Sequence, residues 1–215
     1  MFQKIYTFLP YKKTVEFYEQ TLQFKLISST NNSASFQIGE SVLELHQNEE
    51  NKHYYHFAFN IHSNLFKQAK EWLLERLELL EEDGEDEVYF AGLTNADACY
   101  FEDPAGNIVE YISRRKTSPP SPNKTFSANN VLSISEIGFS TNELKKYAQQ
   151  MQALGIPVRH NKQLYQDTYL NFMGEYEDGA FIILGPIGRR WIFSDKASIA
   201  APVVVHTDRG IVGNL

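Results

Sequence analysis

One pattern recurs three times along this chain, and a repeat constrains a fold more tightly than any single segment. Each copy starts with an alternating strand, passes into an amphipathic helix and closes with short strands. The first copy, residues 1–50, opens around KIYTFL and continues into KKTVEFYEQTLQF, where Val15, Tyr18 and Leu22 share a helical face. Strand-like runs at 24–29, 33–38 and 42–46 follow, separated by the turn-forming TNN and GE. The second copy, 53–115, opens with YYHFAFNI. Its helix, SNLFKQAKEWLLERLELL, lines up Phe66, Ala69, Leu73 and Leu77, with Ser63 or Asn64 as the N-cap. The acidic EEDGEDE reads as a solvated loop, and strands at 87–90, 97–102 and 107–113 complete the unit.

The third copy, 131–215, is degenerate. It runs from SISEIGFST into NELKKYAQQMQALG, whose apolar stripe is Leu144, Tyr147, Ala148, Met151 and Leu154, with Gly155 at C′. Strands are expected near 157–160, 167–175 and 180–184, then at WIF and PVVVH. Residues 116–130 lie in a proline-rich stretch with little that is apolar, and read as an extended linker. A helix covers only one face of a small sheet, so the other face must meet a neighbouring unit. The pattern predicts an α+β fold of βαβββ modules. The first two (1–115) are expected to pair into a curved cleft, with the third following as a C-terminal unit.

Charge and composition exclude several functions. A formal net charge of −7 over 215 residues disfavours a nucleic-acid binder, which would present clustered Lys and Arg. Arg114, Arg115 and Lys116 alone make no such patch. No run approaches the roughly 20 apolar residues that span a bilayer, and MFQKIYTFLPYKK alternates like a strand rather than a targeting segment. The single Cys99 lies in strand-like surroundings and reads as a buried structural thiol in a reducing compartment. The expectation is a soluble cytoplasmic protein.

Alternation divides each strand into two faces. The faces away from the helices collect Gln3, Glu44, His56 and Glu110, each on the first or last strand of the first two modules. A carboxylate amid large apolar residues, as in NIVEYI, needs a compensating partner. One imidazole, two carboxylates and an amide oxygen can hold a divalent ion with a position left for substrate. His46, His53 and His62 flank this set but fall in a weaker phase or in loops.

These residues resemble the vicinal oxygen chelate superfamily, which includes glyoxalase I, extradiol dioxygenases, fosfomycin-resistance enzymes and bleomycin-binding proteins. VEFYEQTLQFKL, HFAFNI and above all FEDPAGNIVEYI carry the resemblance. The last follows the family's module-closing pattern F-x-D-P-x-G-N-x-x-E. The resemblance implies a metal site of Gln3, Glu44, His56 and Glu110, closer to glyoxalase I than to a dioxygenase. It also implies a divalent ion (Zn, Ni, Mn or Fe) that stabilises an enediolate of a small substrate with vicinal oxygens. Glu110 is then the favoured proton-transferring base, with Glu44 second.

A metal-free binding protein, its cleft lined by Tyr54, Tyr55 and Tyr100, is the alternative, and extradiol ring cleavage with Fe(II) is a third. In the third copy Glu136 takes the first-strand position, while the last-strand position falls on Ile182 or Ile183. That module is therefore expected to bind no metal of its own. Its open face is expected to pack on the first two modules or on a second chain, giving a homodimer. GPIGRR reads as a surface turn, with an anion-receiving loop built on Arg189 or Arg190 as the alternative.

Overall fold

The computed structural model describes residues 2–7, 11–47, 53–165 and 169–214, the first stretch as backbone only. All three repeats are present. The first comprises β1 (Phe2–Thr7), α1 (Tyr11–Glu16) continuing into a π-helical turn (Phe17–Thr21), β2 (Lys25–Ser29), β3 (Ser33–Ile38) and β4 (Ser41–Gln47). The second comprises β5 (His56–Ile61), α2 (Phe66–Leu74), β6 (Val88–Phe90), β7 (Ala96–Glu102) and β8 (Ile108–Arg114). The third comprises β9 (Val131–Ser140), α3 (Leu144–Ala153), β10 (Asn171–Met173) and β11 (Phe181–Gly185). A hairpin of β12 (Val203–Thr207) and β13 (Gly210–Gly213) ends the described chain. In each module the last strand lies beside the first, in parallel. Only a Val158–Met173 bridge stands where the third module's expected strand at 157–160 would lie.

The pairing of modules differs from the sequence expectation. The second module joins the third, through antiparallel β5 and β9, in the sheet β10-β11-β9-β5-β8-β7-β6. The first module forms a separate sheet, β13-β12-β1-β4-β3-β2, in which β12 covers the free edge of β1. An open first-strand edge must be covered, but hydrophobic alternation does not name the strand that covers it. Here the expected linker helps to decide. The Ser63 N–H donates to the Pro119 carbonyl at 3.2 Å, and Asn64 brackets Ser121 with bonds of 2.9 and 2.7 Å. Ser118 Oγ donates to Asn60 at 2.7 Å. This stretch is docked on the second module and brings β9 alongside β5.

The helix-side faces of both sheets share one apolar core. Phe24 meets Phe59 edge-on at 5.2 Å, and Tyr18 lies 6.4 Å from Phe57. The helices contribute Tyr18, Phe66, Ala69, Leu73, Leu144, Ala148 and Met151 to it, and Cys99 is buried in it, as its strand setting suggested. The α2 helix stops at Leu74, short of the periodic pattern, because the chain turns to donate the Leu80 N–H to the Tyr100 carbonyl on β7. Gly39, at φ +52°, lets the β3–β4 turn press on β9. A Cβ there would sit 2.0 Å from the Leu132 carbonyl oxygen.

The FEDPAGN motif is a structural bracket. Asp103 accepts the N–H groups of Ala105 and Asn107 at 2.9 and 3.0 Å, and Gly106 adopts φ +80° to close the turn. Asn107 donates to Asp103 at 2.8 Å and accepts the Tyr55 N–H at 2.9 Å. The Tyr18 hydroxyl also donates to Asp103, at 2.8 Å. The motif thus ties the β7–β8 hairpin to β5 and to the first helix, and fixes the start of β8.

Candidate functional site

The face of the second sheet away from the helices carries Ala58, Tyr100, Ile108 and Ile112, packed with Trp191 and Phe193 from the segment after β11. That segment is pinned across the sheet. The Phe193 N–H and the Arg190 guanidinium both bind Glu82, Lys196 pairs with Glu102 at 2.8 Å, and Tyr54 donates to the Ala197 carbonyl at 2.5 Å. The loop at 81–87 thus anchors this crossing through Glu82. Trp191 approaches Gly138 so closely that a Cβ there would meet its ring at 3.0 Å. The ring lies 4.9 Å from the imidazole of His56.

Beneath the crossing, three ionisable side chains converge. His56 is the first residue of β5, Glu110 lies on the adjacent β8, and Glu136 lies on β9, on the other side of β5. Strand register therefore gathers residues far apart in sequence. His56 Nε2 lies 3.4 Å from Glu110 Oε2 and 3.9 Å from Glu136 Oε2. One donor atom from each residue falls within 4.8 Å of the others, and all three residues are buried. His56 Nδ1 faces the Ile108 carbonyl at 3.1 Å. That bond keeps a proton on Nδ1 and leaves Nε2 as the nitrogen that faces the carboxylates. Glu110 Oε1 is buried without a hydrogen-bond partner, the kind of orphan that a bound cation would satisfy.

Arg114, also buried, binds the second oxygen of Glu136. It donates to Ser135 at 3.1 and 3.3 Å, and Ser135 donates onward to the Gly179 carbonyl at 2.8 Å. Arg114 therefore aims Glu136 Oε2 at His56. Burial alone would lower the His56 pKa, but hydrogen bonds and charge from Glu110 and Glu136 outweigh it and raise the imidazole to about 9. Burial, reinforced by Glu136, holds Glu110 above the ordinary carboxylate value. Glu136 is also desolvated, yet Arg114 and His56 hold it below that value.

These groups floor a cavity of about 380 Å³, a volume suited to a small molecule. Its walls include Phe90, Tyr100, Phe172 and Trp191, with Arg189 among the few charged groups.

Of the expected ligand set, His56 and Glu110 meet here. Glu44 lies on β4 in the other sheet, where its carboxylate is 2.6 Å from His46 Nε2. Gln3 lies on β1 in register with Leu43, whereas Lys4 is in register with Glu44. Gln3 is described as backbone only, and among the described side chains it is Glu136 rather than Glu44 that joins His56 and Glu110. The cause is the change in module pairing, which puts Glu136 opposite Ala58 and beside His56. A signal for Glu136 existed, since it is the first-strand residue of its repeat. Arg114 and Trp191 had no comparable mark. Ile183 takes the third module's last-strand place in the cavity wall. Tyr100 also lines the cavity, while Tyr55 is buried and donates to the Pro202 carbonyl at 2.8 Å.

Residues 10–111 match the family model of the Glyoxalase/Bleomycin resistance protein/Dioxygenase superfamily, and residues 134–189 match that of the Toxoflavin-degrading enzyme. No curated protein sequence matches the chain. Among solved structures, a point variant of glyoxalase I from Zea mays aligns with TM-score 0.54 and 16% identity, covering 86% of this chain and 65% of that one. A proposed dioxygenase from Bacillus subtilis aligns with TM-score 0.57 and 14% identity, covering 86% and 64%. At these identities the likeness establishes the fold, a mixed α+β arrangement of the same class. Among the described residues, no helix is long and apolar enough to cross a membrane.

Proposed function

We propose that this chain, whose residues 10–111 match the model of the Glyoxalase/Bleomycin resistance protein/Dioxygenase superfamily, is a divalent-metal-dependent enzyme acting on a small molecule with neighbouring oxygens. The cluster of His56, Glu110 and Glu136, with the orphaned Glu110 Oε1 at its centre, carries this reading. These three residues would hold the ion, Glu136 replacing the ligands first sought in Gln3 and Glu44. When bound, the ion supplies Lewis-acid polarisation of substrate oxygens.

The protein's own groups supply the rest. Glu110 is suited to take up and return a substrate proton through the carboxylate oxygen that the ion would leave free. Arg114 orients Glu136, the Ile108 carbonyl sets the His56 tautomer, and the Trp191 and Tyr100 rings exclude water from the floor. One imidazole with two carboxylates differs from the two-histidine, one-carboxylate triad of non-haem iron oxygenases. The donor set therefore favours lyase or isomerase chemistry over ring cleavage. The match of 134–189 to a degrading enzyme includes Glu136 and fits a catalytic role.

Elemental analysis of protein purified without chelators tests the proposal, alongside His56→Ala and Glu136→Gln. Stoichiometric metal in the parent and its loss from both variants is the expected result. A parent that neither holds metal nor takes up Zn, Ni, Mn or Fe when these are supplied would instead favour the metal-free binding protein. In that state the opposed charges of His56, Arg114, Glu110 and Glu136 balance without an ion.

A further inference from the structure

Five of the seven arginines in this chain are neutralised locally. Arg76, Arg114, Arg115, Arg190 and Arg209 each form an ion pair with a carboxylate. Arg159 and Arg189 form none among the described residues, and both sit at the cavity over His56. Arg189 lines it directly and donates only to the Arg190 carbonyl, at 3.1 Å. Arg159 lies 4.1 Å over the ring of Phe172, which lines the cavity. It also donates to Thr94, another lining residue, at 3.3 Å. Both guanidiniums are partly desolvated, which lowers the pKa of each from its ordinary value. Among the described residues neither partly dehydrated guanidinium has a carboxylate at ion-pair distance, although the Glu136 charge acts on Arg159, and such a guanidinium is well suited to receive an anion from a ligand.

The cavity walls also limit the rest of the ligand. Phe90, Tyr100, Phe172 and Trp191 line the cavity with aromatic surface, which suits a flat, largely apolar body. We propose that Arg189, assisted by Arg159, is the specificity-determining group for an anionic substituent, and that the substrate is a planar, largely apolar molecule bearing that anion. The anion sits at Arg189 while the reacting oxygens face His56, Glu110 and Glu136. This inference rests on the cavity being the substrate site, and it deepens that reading by naming the substrate class.

Weakly coordinating sulfonates test the anion requirement apart from the metal centre. Benzenesulfonate and naphthalene-2-sulfonate are titrated against their neutral methyl sulfone counterparts, followed by tryptophan fluorescence. The parent, Arg189→Gln, Arg159→Gln and Arg115→Gln are compared, Arg115 being an exposed, paired arginine outside the cavity. Charge-assisted bonding predicts a preference for the sulfonate on the order of tenfold in the parent. That preference should vanish in Arg189→Gln, shrink in Arg159→Gln and persist in Arg115→Gln and in chelator-treated protein. Absence of any sulfonate preference in the parent, including absence of binding, overturns the proposal, as does an unchanged preference in Arg189→Gln. Metal content measured on the same preparations separates the two readings. Metal retained without anion preference defeats this inference alone, and anion preference without metal defeats only the metal-centre assignment.

Discussion

Glu136→Gln should destabilise the chelator-treated protein well beyond the effect of an ordinary conservative substitution, because it removes one charge from a buried balance. His56 and Arg114 stand against Glu110 and Glu136, and all four residues are buried. The glutamine keeps an oxygen that can accept from Arg114, and Arg114 keeps its bonds to Ser135 at 3.1 and 3.3 Å. What disappears is the opposing charge. Removing one partner of a buried ion pair costs roughly 3–5 kcal/mol, and the surviving hydrogen bonds place this variant at the low end, about 3 kcal/mol.

Arg114→Met strands Glu136, whose other close cationic neighbour is His56 at 3.9 Å, and belongs at the upper end, about 5 kcal/mol. The double variant removes both charges together. Its cost should fall below the sum of the single costs by about 2 kcal/mol. Urea denaturation followed by far-UV circular dichroism, with chelator present throughout, measures all four corners of the cycle. A cost under about 1 kcal/mol for Glu136→Gln, with the single effects simply adding, would refute the idea of a charge-balanced cluster.

Two further perturbations follow from the same structure. The His56 pKa is raised from 6.5 to about 9, so its contribution to the metal-free protein is fully present below pH 6.5 and lost as pH rises through 9. At 1.36 kcal/mol per unit this contribution is roughly 3 kcal/mol, and a urea midpoint that stays flat from pH 6.5 to 9.5 in the parent would contradict it. Gly39→Ala places a Cβ 2.0 Å from the Leu132 carbonyl at a φ of +52°. The β3–β4 turn must then lift from β9, at a cost of at least about 2 kcal/mol, and an unchanged thermal midpoint would show that the contact is not tight.

Much of the local architecture was legible in the chain. Alternation and helical spacing marked the repeats, since the 2- and 3.6-residue periods follow from backbone geometry alone. They placed Tyr18, Leu22, Ala69, Leu73, Ala148 and Met151 in the core, where each is buried. The reach of α2 was overestimated because its stop depends on a bond from Leu80 to Tyr100 on another element. The same reading put His56 and Glu110 on one face of adjacent strands, and parallel pairing of β5 with β8 keeps them there.

The third member of the cluster, Glu136, was decided by tertiary structure. Glu44 carried a suitable donor, but its strand lies in the other sheet, where its carboxylate meets His46 rather than His56. Backbone N–H and C=O groups along an open strand edge are nearly the same for every sequence, so alternation could not reveal that β5 would take β9 and β1 would take β12. That choice came from the docked 116–130 segment and the shared apolar core. By itself the sequence determined the modules and which strand faces were polar. Long-range strand pairing determined which polar faces met, bringing Glu136 beside His56, Arg114 behind it and Arg189 into the cavity they share.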